Sequence, residues 1–460
     1  MTWSNVPTSA ILLLLALLSN LSARQRTESA GSLWLSDGYG LLVEDLGDTL
    51  QAYELTSVSC IPSWTVKRVF NSHELSETVF VADDLTFRLL DGPTKDTKRL
   101  HMDGAASDIL LHRTPNRPGL CDRTAENSPQ QDYAIFWQTF AEHYAFFDLH
   151  HVDWKSVDKQ FRPQVTAATT SKELFAIFRR MIEPLHDAHT VIEAPDIGQE
   201  FDGWREAPNH LEKDQWAKAQ AVTGSQYVRG GLHSFCNGRL QFGMLDRSVG
   251  YLRITAFYGY LDKYTYADAL RALQSALDTI FLDSNKLSAL VIDVRLNQGG
   301  DDPLGIEIAS RLTDRKYLAY SKVTRNNLDG ALHFTAAQEC WVVPSGRPGF
   351  RGRVVLLTGP DTVSAGETFA MALLGREPRV TRIGLNTQGV FSDVLSRRLP
   401  NGWRFSLPNE VYLTGDGKAF DATGVPPDVP VSFFSPEDIR NGHDAAIQQA
   451  LKLLDAAARR

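Results

Sequence analysis

The sequence predicts a mixed α/β protein of more than one domain, on three observations. At 460 residues the chain exceeds what one hydrophobic core normally supports. Short alternating apolar runs crowd its first quarter, whereas nearly continuous apolar runs separated by helical patterns fill its second half. Its 43% hydrophobic and 22% charged residues are those of a globular protein, which excludes disordered and low-complexity classes. A net charge of −8 without a basic block argues against nucleic acid or an anionic membrane surface as partner.

Residues 1–23 read as a secretory signal. Ala10–Leu18 is an unbroken apolar run, too short to span a bilayer, and Leu21-Ser22-Ala23 closes it in cleavage-site style. The segment before the run lacks Lys and Arg, and an apolar N-terminal helix is the alternative reading. Export to a periplasmic or extracellular location is the expectation, with no membrane span. Given export, the four cysteines predict the disulfides Cys60–Cys121 and Cys236–Cys340 from chain proximity, with buried free thiols as the alternative.

Residues 32–115 alternate and break at Gly, Asp and Asn, as expected of a small antiparallel β domain. A turn-rich linker leads to a helical domain over 125–195. There Tyr133, Phe136, Trp137, Phe140, Tyr144 and Phe147 form one helical stripe, read as a packing face, and a second helix opens with Ser171 as N-cap. Residues 196–245 read as a connecting or cover segment. Residues 246–440 alternate between strands and helices, with strands at 249–254, 287–296 and 353–359 and a helix at 266–281. Asn401-Gly402 between two strand-like runs predicts a type I′ hairpin, and a closing helix is expected over 436–457, its last part making up residues 441–460.

Ser364 carries the strongest chemical signal. It follows a buried-type strand and stands where the next helix begins, beside free backbone N–H groups and the positive end of the helix dipole. That setting suits an attacking alkoxide; the plain alternative is an N-cap serine completing a capping box with Glu367. The run D-V-R-L-N-Q-G-G at 293–300 ends a strand in paired glycines, which let backbone amides approach a ligand. His186 and His189 flank Asp187 after a helix end, where loops commonly place functional groups, and offer a base; a satisfied structural histidine is the alternative reading. His143, His150 and His151 cluster near the aromatic helix but lack a metalloenzyme pattern, so they are not read as a metal site.

Six motifs in order resemble the tail-specific, or C-terminal-processing, serine peptidases, closest to their tricorn-core and interphotoreceptor-retinoid-binding-protein-like branch. They are LHDAHT at 185–190, VGYLRI at 249–254, DVRLNQGG at 293–300, TVSAGE at 362–367, IGLNTQG at 383–389 and GVPPDV at 424–429. The resemblance covers about residues 125–435 and implies a ββα-superhelix core of the ClpP/crotonase kind. It also implies Ser364 as nucleophile, Gly299 or Gly300 with Ala365 as oxyanion donors, and His189 as base. Asp421, three residues before Gly424, matches the acid that orients the base, where the family usually has Glu; Glu410 is the substitute candidate. The Ser/Lys branch expects a lysine near Gly389-Val390, and no lysine lies between Ser364 and Lys418. A PDZ insertion is not evident between His189 and Val249.

The resulting expectation is an exported serine peptidase acting on a peptide or protein substrate, with no cofactor or metal. A degenerate binding protein of the same fold, holding an apolar ligand or peptide, is the alternative.

Overall fold

The computed structural model describes residues 31–69, 77–83, 85–206, 210–326 and 333–458. The expected signal over 1–23 lies outside them. The chain opens with eight antiparallel strands: β1 (Ser32–Ser36), β2 (Leu41–Asp45), β3 (Thr49–Leu55), β4 (Cys60–Arg68), β5 (Glu77–Ala82), β6 (Leu85–Asp91), β7 (Thr97–Met102) and β8 (Ile109–Thr114). Alternate side chains point inward, as the alternating burial along β3 shows, and β8 pairs back onto β1 to close a barrel. Trp34, Leu50, Phe80, Phe87 and Leu100 pack its interior. Cys60 at the head of β4 is disulfide-bonded to Cys121 in the linker. Cys236 and Cys340 are free, so the second expected disulfide is not formed.

Three helices follow, α1 (Pro129–His143), α2 (Trp154–Phe161) and α3 (Ser171–Ile182). Tyr133, Phe136, Phe140 and Tyr144 are buried as the stripe predicts, but the helix stops at His143. Tyr144 is already extended (φ −65°, ψ 123°), and its ring packs on Phe147 through a turn, with centroids 4.7 Å apart. The N-cap of α3 is Thr170 rather than Ser171. Glu173 stands three residues after Thr170, the spacing that lets hydroxyl and carboxylate satisfy each other's backbone N–H, and that capping box selects Thr170.

Next come β9 (Val191–Ala194), β10 (Gln199–Asp202), α4 (Lys213–Gln226), β11 (Arg229–Phe235) and β12 (Leu240–Met244). The segment 196–245 is therefore more than a cover: β11 and β12 form the antiparallel edge of the main sheet. As an edge strand β11 is exposed along most of its length, so it lacks the apolar alternation that would mark it in sequence.

The core continues through β13 (Val249–Ile254), α5 (Tyr266–Phe281), β14 (Ala289–Asp293), α6 (Asp302–Ser310), β15 (Tyr317–Thr324), β16 (Gln338–Val342), β17 (Arg353–Thr358), α7 (Ala365–Ala372) and β18 (Thr381–Gly384). It closes with β19 (Val394–Arg398), β20 (Arg404–Pro408), β21 (Glu410–Leu413), β22 (Val429–Pro430), α8 (Pro436–Asn441) and α9 (Ala445–Ala458). The main sheet runs β11-β12-β13-β14-β17-β18-β22, parallel from β13 onward. Leu252, Ile292 and Leu356 face α5, α6 and α7, whereas Tyr251, Val291 and Leu357 face α4 and α9. A sheet buried on both faces explains the continuous apolar runs.

The hairpin β19–β20 forms at the expected place but not as type I′. Asn401 is not among the residues with positive φ, and Gly402 alone takes that conformation (φ 89°) to rejoin β20. The closing helix is broken in two at Gly442 (φ 64°). No helix among the described residues is long and apolar enough to cross a membrane.

Candidate active site

β17 delivers the chain to Ser364, which takes φ 54° and ψ −121°. Positive φ in a residue with a Cβ costs about 1–3 kcal/mol and persists only where its surroundings enforce it. Here the Ser364 amide donates to the Val390 carbonyl at 3.2 Å, and its own carbonyl accepts from Glu367 and Thr368 at 2.7 and 3.0 Å. The side chain makes no capping bond, so the capping-box alternative is not what this serine does, and its hydroxyl is unspent. Glu367, wholly buried, instead binds Thr387 Oγ1 at 2.5 Å and the Gly389 and Val390 amides at 2.6 and 2.8 Å. It thereby ties the 387–390 loop to the start of α7. Burial pushes its carboxyl up to about 7.

The paired glycines after β14 lie directly against this serine. A Cβ on Gly299 (φ 79°) would sit 2.7 Å from the Ser364 Cβ, and one on Gly300 (φ 127°) would strike the Phe257 carbonyl at 2.4 Å. Only glycine fits both places. Asn297 organises the turn: its Nδ2 donates to the Ile254 carbonyl at 3.0 Å, and its Oδ1 accepts the Gly299 amide at 2.9 Å. Gly299 N–H is therefore spent, which corrects its expected place as an oxyanion donor. The amides of Gly300 and Ala365 have no acceptor among the described residues.

His189 sits on a turn built by Asp187. One carboxylate oxygen of Asp187 accepts the His189 amide at 3.0 Å and the other accepts the Tyr144 hydroxyl at 3.1 Å. The aromatic stripe of α1 thus ends by anchoring this loop. The ring is buried, rests against the backbone of Ser392 and leaves Nδ1 without a hydrogen-bond partner. Burial pulls its pKa down to about 4, against the opposing charge of Asp393. Ser364, through its amide, and His189, through its ring, both contact the short segment Val390–Ser392, and no hydrogen bond among the described residues joins the two side chains.

Neither expected acid pairs with the base. Asp421 lies by the Phe391 amide, with Oδ2 unpartnered; burial, with Asp187 and Glu367 as neighbours, raises its pKa well above the carboxylate range. Glu410 is engaged by Lys322 Nζ at 3.0 Å, by the Asp393 amide at 3.2 Å and by the Tyr39 hydroxyl. With His189 Nδ1 unpartnered, neither carboxylate orients that nitrogen.

Sequence reasoning missed Lys322, Asp393 and Tyr39, none of which stands in a local motif. It also missed Asp361, three residues before Ser364, which binds His210 Nδ1 at 2.5 Å and the Leu211 amide at 3.1 Å.

Residues 248–431 match the model of peptidase family S41, and residues 125–183 match that of the tricorn protease C1 domain. The chloroplastic carboxyl-terminal-processing peptidase 2 of Arabidopsis thaliana is 28% identical over 196 residues, covering 43% of this chain and 34% of the relative, about a third of its length. A solved structure from Parabacteroides merdae aligns with TM-score 0.59 at 24% identity over 72% of this chain and 97% of its own. Mature CPAF complexed with lactacystin aligns with TM-score 0.54 at 12% identity over 72% and 98%. These two likenesses are of fold.

Proposed function

We propose that this chain, whose residues 248–431 match the model of peptidase family S41, is an exported serine peptidase with Ser364 as nucleophile and His189 as general base. The observation that carries the reading is the strained Ser364, its hydroxyl unspent, beside a helix-start amide and a glycine amide that are both unspent. His189 takes the hydroxyl proton as Ser364 Oγ attacks the peptide carbonyl. The amides of Gly300 and Ala365 receive the negative charge on the carbonyl oxygen, each worth roughly 3–4 kcal/mol of barrier. Collapse breaks the C–N bond, His189 returns the proton to the leaving amine, and water then hydrolyses the acyl-enzyme through the same base. Export is supported by the apolar run Ala10–Leu18 and by Cys60–Cys121, a bond suited to an oxidising compartment.

Labelling of the full chain by a fluorophosphonate probe tests this. Ser364→Ala is expected to abolish labelling, and His189→Ala to slow it by about a hundredfold or more, with both variants folded by circular dichroism. A wild-type chain that never labels, or a Ser364→Ala chain that still does, overturns the assignment.

A further inference from the structure

The four-stranded sheet β10-β9-β20-β19 brings together two residues that lie far apart in the chain. Val191 of β9 pairs with Ser406 of β20, and Val394 of β19 pairs with Pro408. His189 precedes β9 by two residues and Asp393 precedes β19 by one, so both emerge at the same end of the sheet, on either flank of Pro408. Ser406 Oγ fixes that end by donating to the His189 carbonyl at 3.0 Å.

Asp393 is held there by a buried cluster. Lys322 Nζ, on β15, donates to Asp393 Oδ2 at 2.8 Å and to Glu410 Oε2 at 3.0 Å. The Lys322 side chain is 3% exposed and that of Glu410 1%, while the Asp393 side chain stays half exposed. Two carboxylates share one ammonium, so with both ionised the cluster carries one net negative charge. Of the two, Asp393 is the carboxylate whose charge reaches His189. Asp187, on the turn that carries His189, is already committed to the His189 amide and the Tyr144 hydroxyl.

The cluster is closed from the barrel. Tyr39, in the turn between β1 and β2, donates its hydroxyl to Glu410 Oε1, and Arg397 donates to the Tyr39 carbonyl. Gly38 beside it has φ 81°, and a Cβ there would lie 2.7 Å from Thr324 Cγ2, so the turn fits closely against β15.

We infer that Asp393 is the positioning residue for the base, its carboxylate on the His189 side of the sheet end, and that Tyr39, Glu410 and Lys322 hold it in place. The inference rests on the assignment of Ser364 and His189 above. When His189 takes the serine proton, the imidazolium that forms in a buried site is offset by the Asp393 carboxylate. The barrel then contributes to catalysis without touching substrate.

The test is the rate of fluorophosphonate labelling of the full chain at neutral pH. Asp393→Asn, which keeps shape but removes charge, is expected to slow labelling about tenfold or more, and Asp393→Glu to stay within about threefold of wild type. Tyr39→Phe is expected to slow it less than Asp393→Asn. Equal rates for wild type and Asp393→Asn, with Ser364→Ala silent and His189→Ala slow, overturn this inference alone. So does equal slowing by Asn and Glu, which would mark a packing role. A wild-type chain that does not label overturns the underlying assignment as well.

Discussion

The α/β core and the barrel hold themselves together by opposite means, and they serve the site differently. In the core, β13, β14 and β17 are buried along nearly their whole length, and the proposed chemistry sits where a strand hands over to a helix: Gly300 after β14, Ser364 after β17. In the barrel the strands turn one face to a packed interior, and the turn carrying Tyr39 reaches Glu410. Core residues therefore act through local backbone geometry, and barrel residues through where the barrel is seated.

The largest effect that can break this comparison lies in the core. Arg295 is buried between Asp293 (2.7 Å) and Asp444 (2.8 Å) and stacks on Phe433 and Phe434. Arg295→Ala leaves two buried carboxylates without their cation, and urea unfolding is expected to show a loss of about 3–5 kcal/mol. A loss below about 1 kcal/mol, the scale of an exposed ion pair, would mean that this end of the core is not organised by the triad. The barrel offers a smaller effect. Replacing Cys60 and Cys121 together by serine removes a cross-link between residues 61 apart, at an expected cost of about 2–4 kcal/mol. With the barrel still folded at room temperature, labelling should persist; its loss with the core still folded would tie the barrel to catalysis more tightly than through Tyr39.

The same contrast decides what was legible in the sequence. Ser364, Gly300 and His189 stand in strand–turn–helix or turn motifs whose meaning is local. So does the capping logic of α3, missed by one residue because Thr170 and Ser171 are both able caps. The helical stripe showed which residues pack, but not that the helix ends at His143, where Tyr144 turns extended and its hydroxyl donates to Asp187, 43 residues away. Tyr39, Lys322 and Asp393 are separated by up to 354 positions (393 − 39) and meet only through tertiary packing, so no window of sequence displays them together. The edge strand β11 escaped because exposure removes the very alternation that identifies a strand.

The smallest expected effect concerns pH, and it separates the buried His189, as the proposed base, from an ordinary histidine. A base works only when neutral. With its pKa pulled down to about 4 by burial, His189 is neutral throughout roughly pH 5.5–7.5, so the labelling rate should change by less than about twofold over that window. A histidine at its ordinary value near about 6.5 would lose about tenfold over the same range. Stability carries two opposing slopes there. His189 takes up its proton more readily when unfolded, so its contribution falls as pH drops below the unfolded value near about 6.5. Glu367, raised from 4.5 to about 7, holds its proton more tightly when folded. Its contribution is full below the unfolded value and is lost as pH rises through the folded one. Rates should therefore be compared well below the melting temperature at each pH. A tenfold fall in labelling between about pH 7.5 and about pH 5.5, with the chain still folded, would place the base at the surface rather than in the buried seat that Asp187 and Ser392 give it.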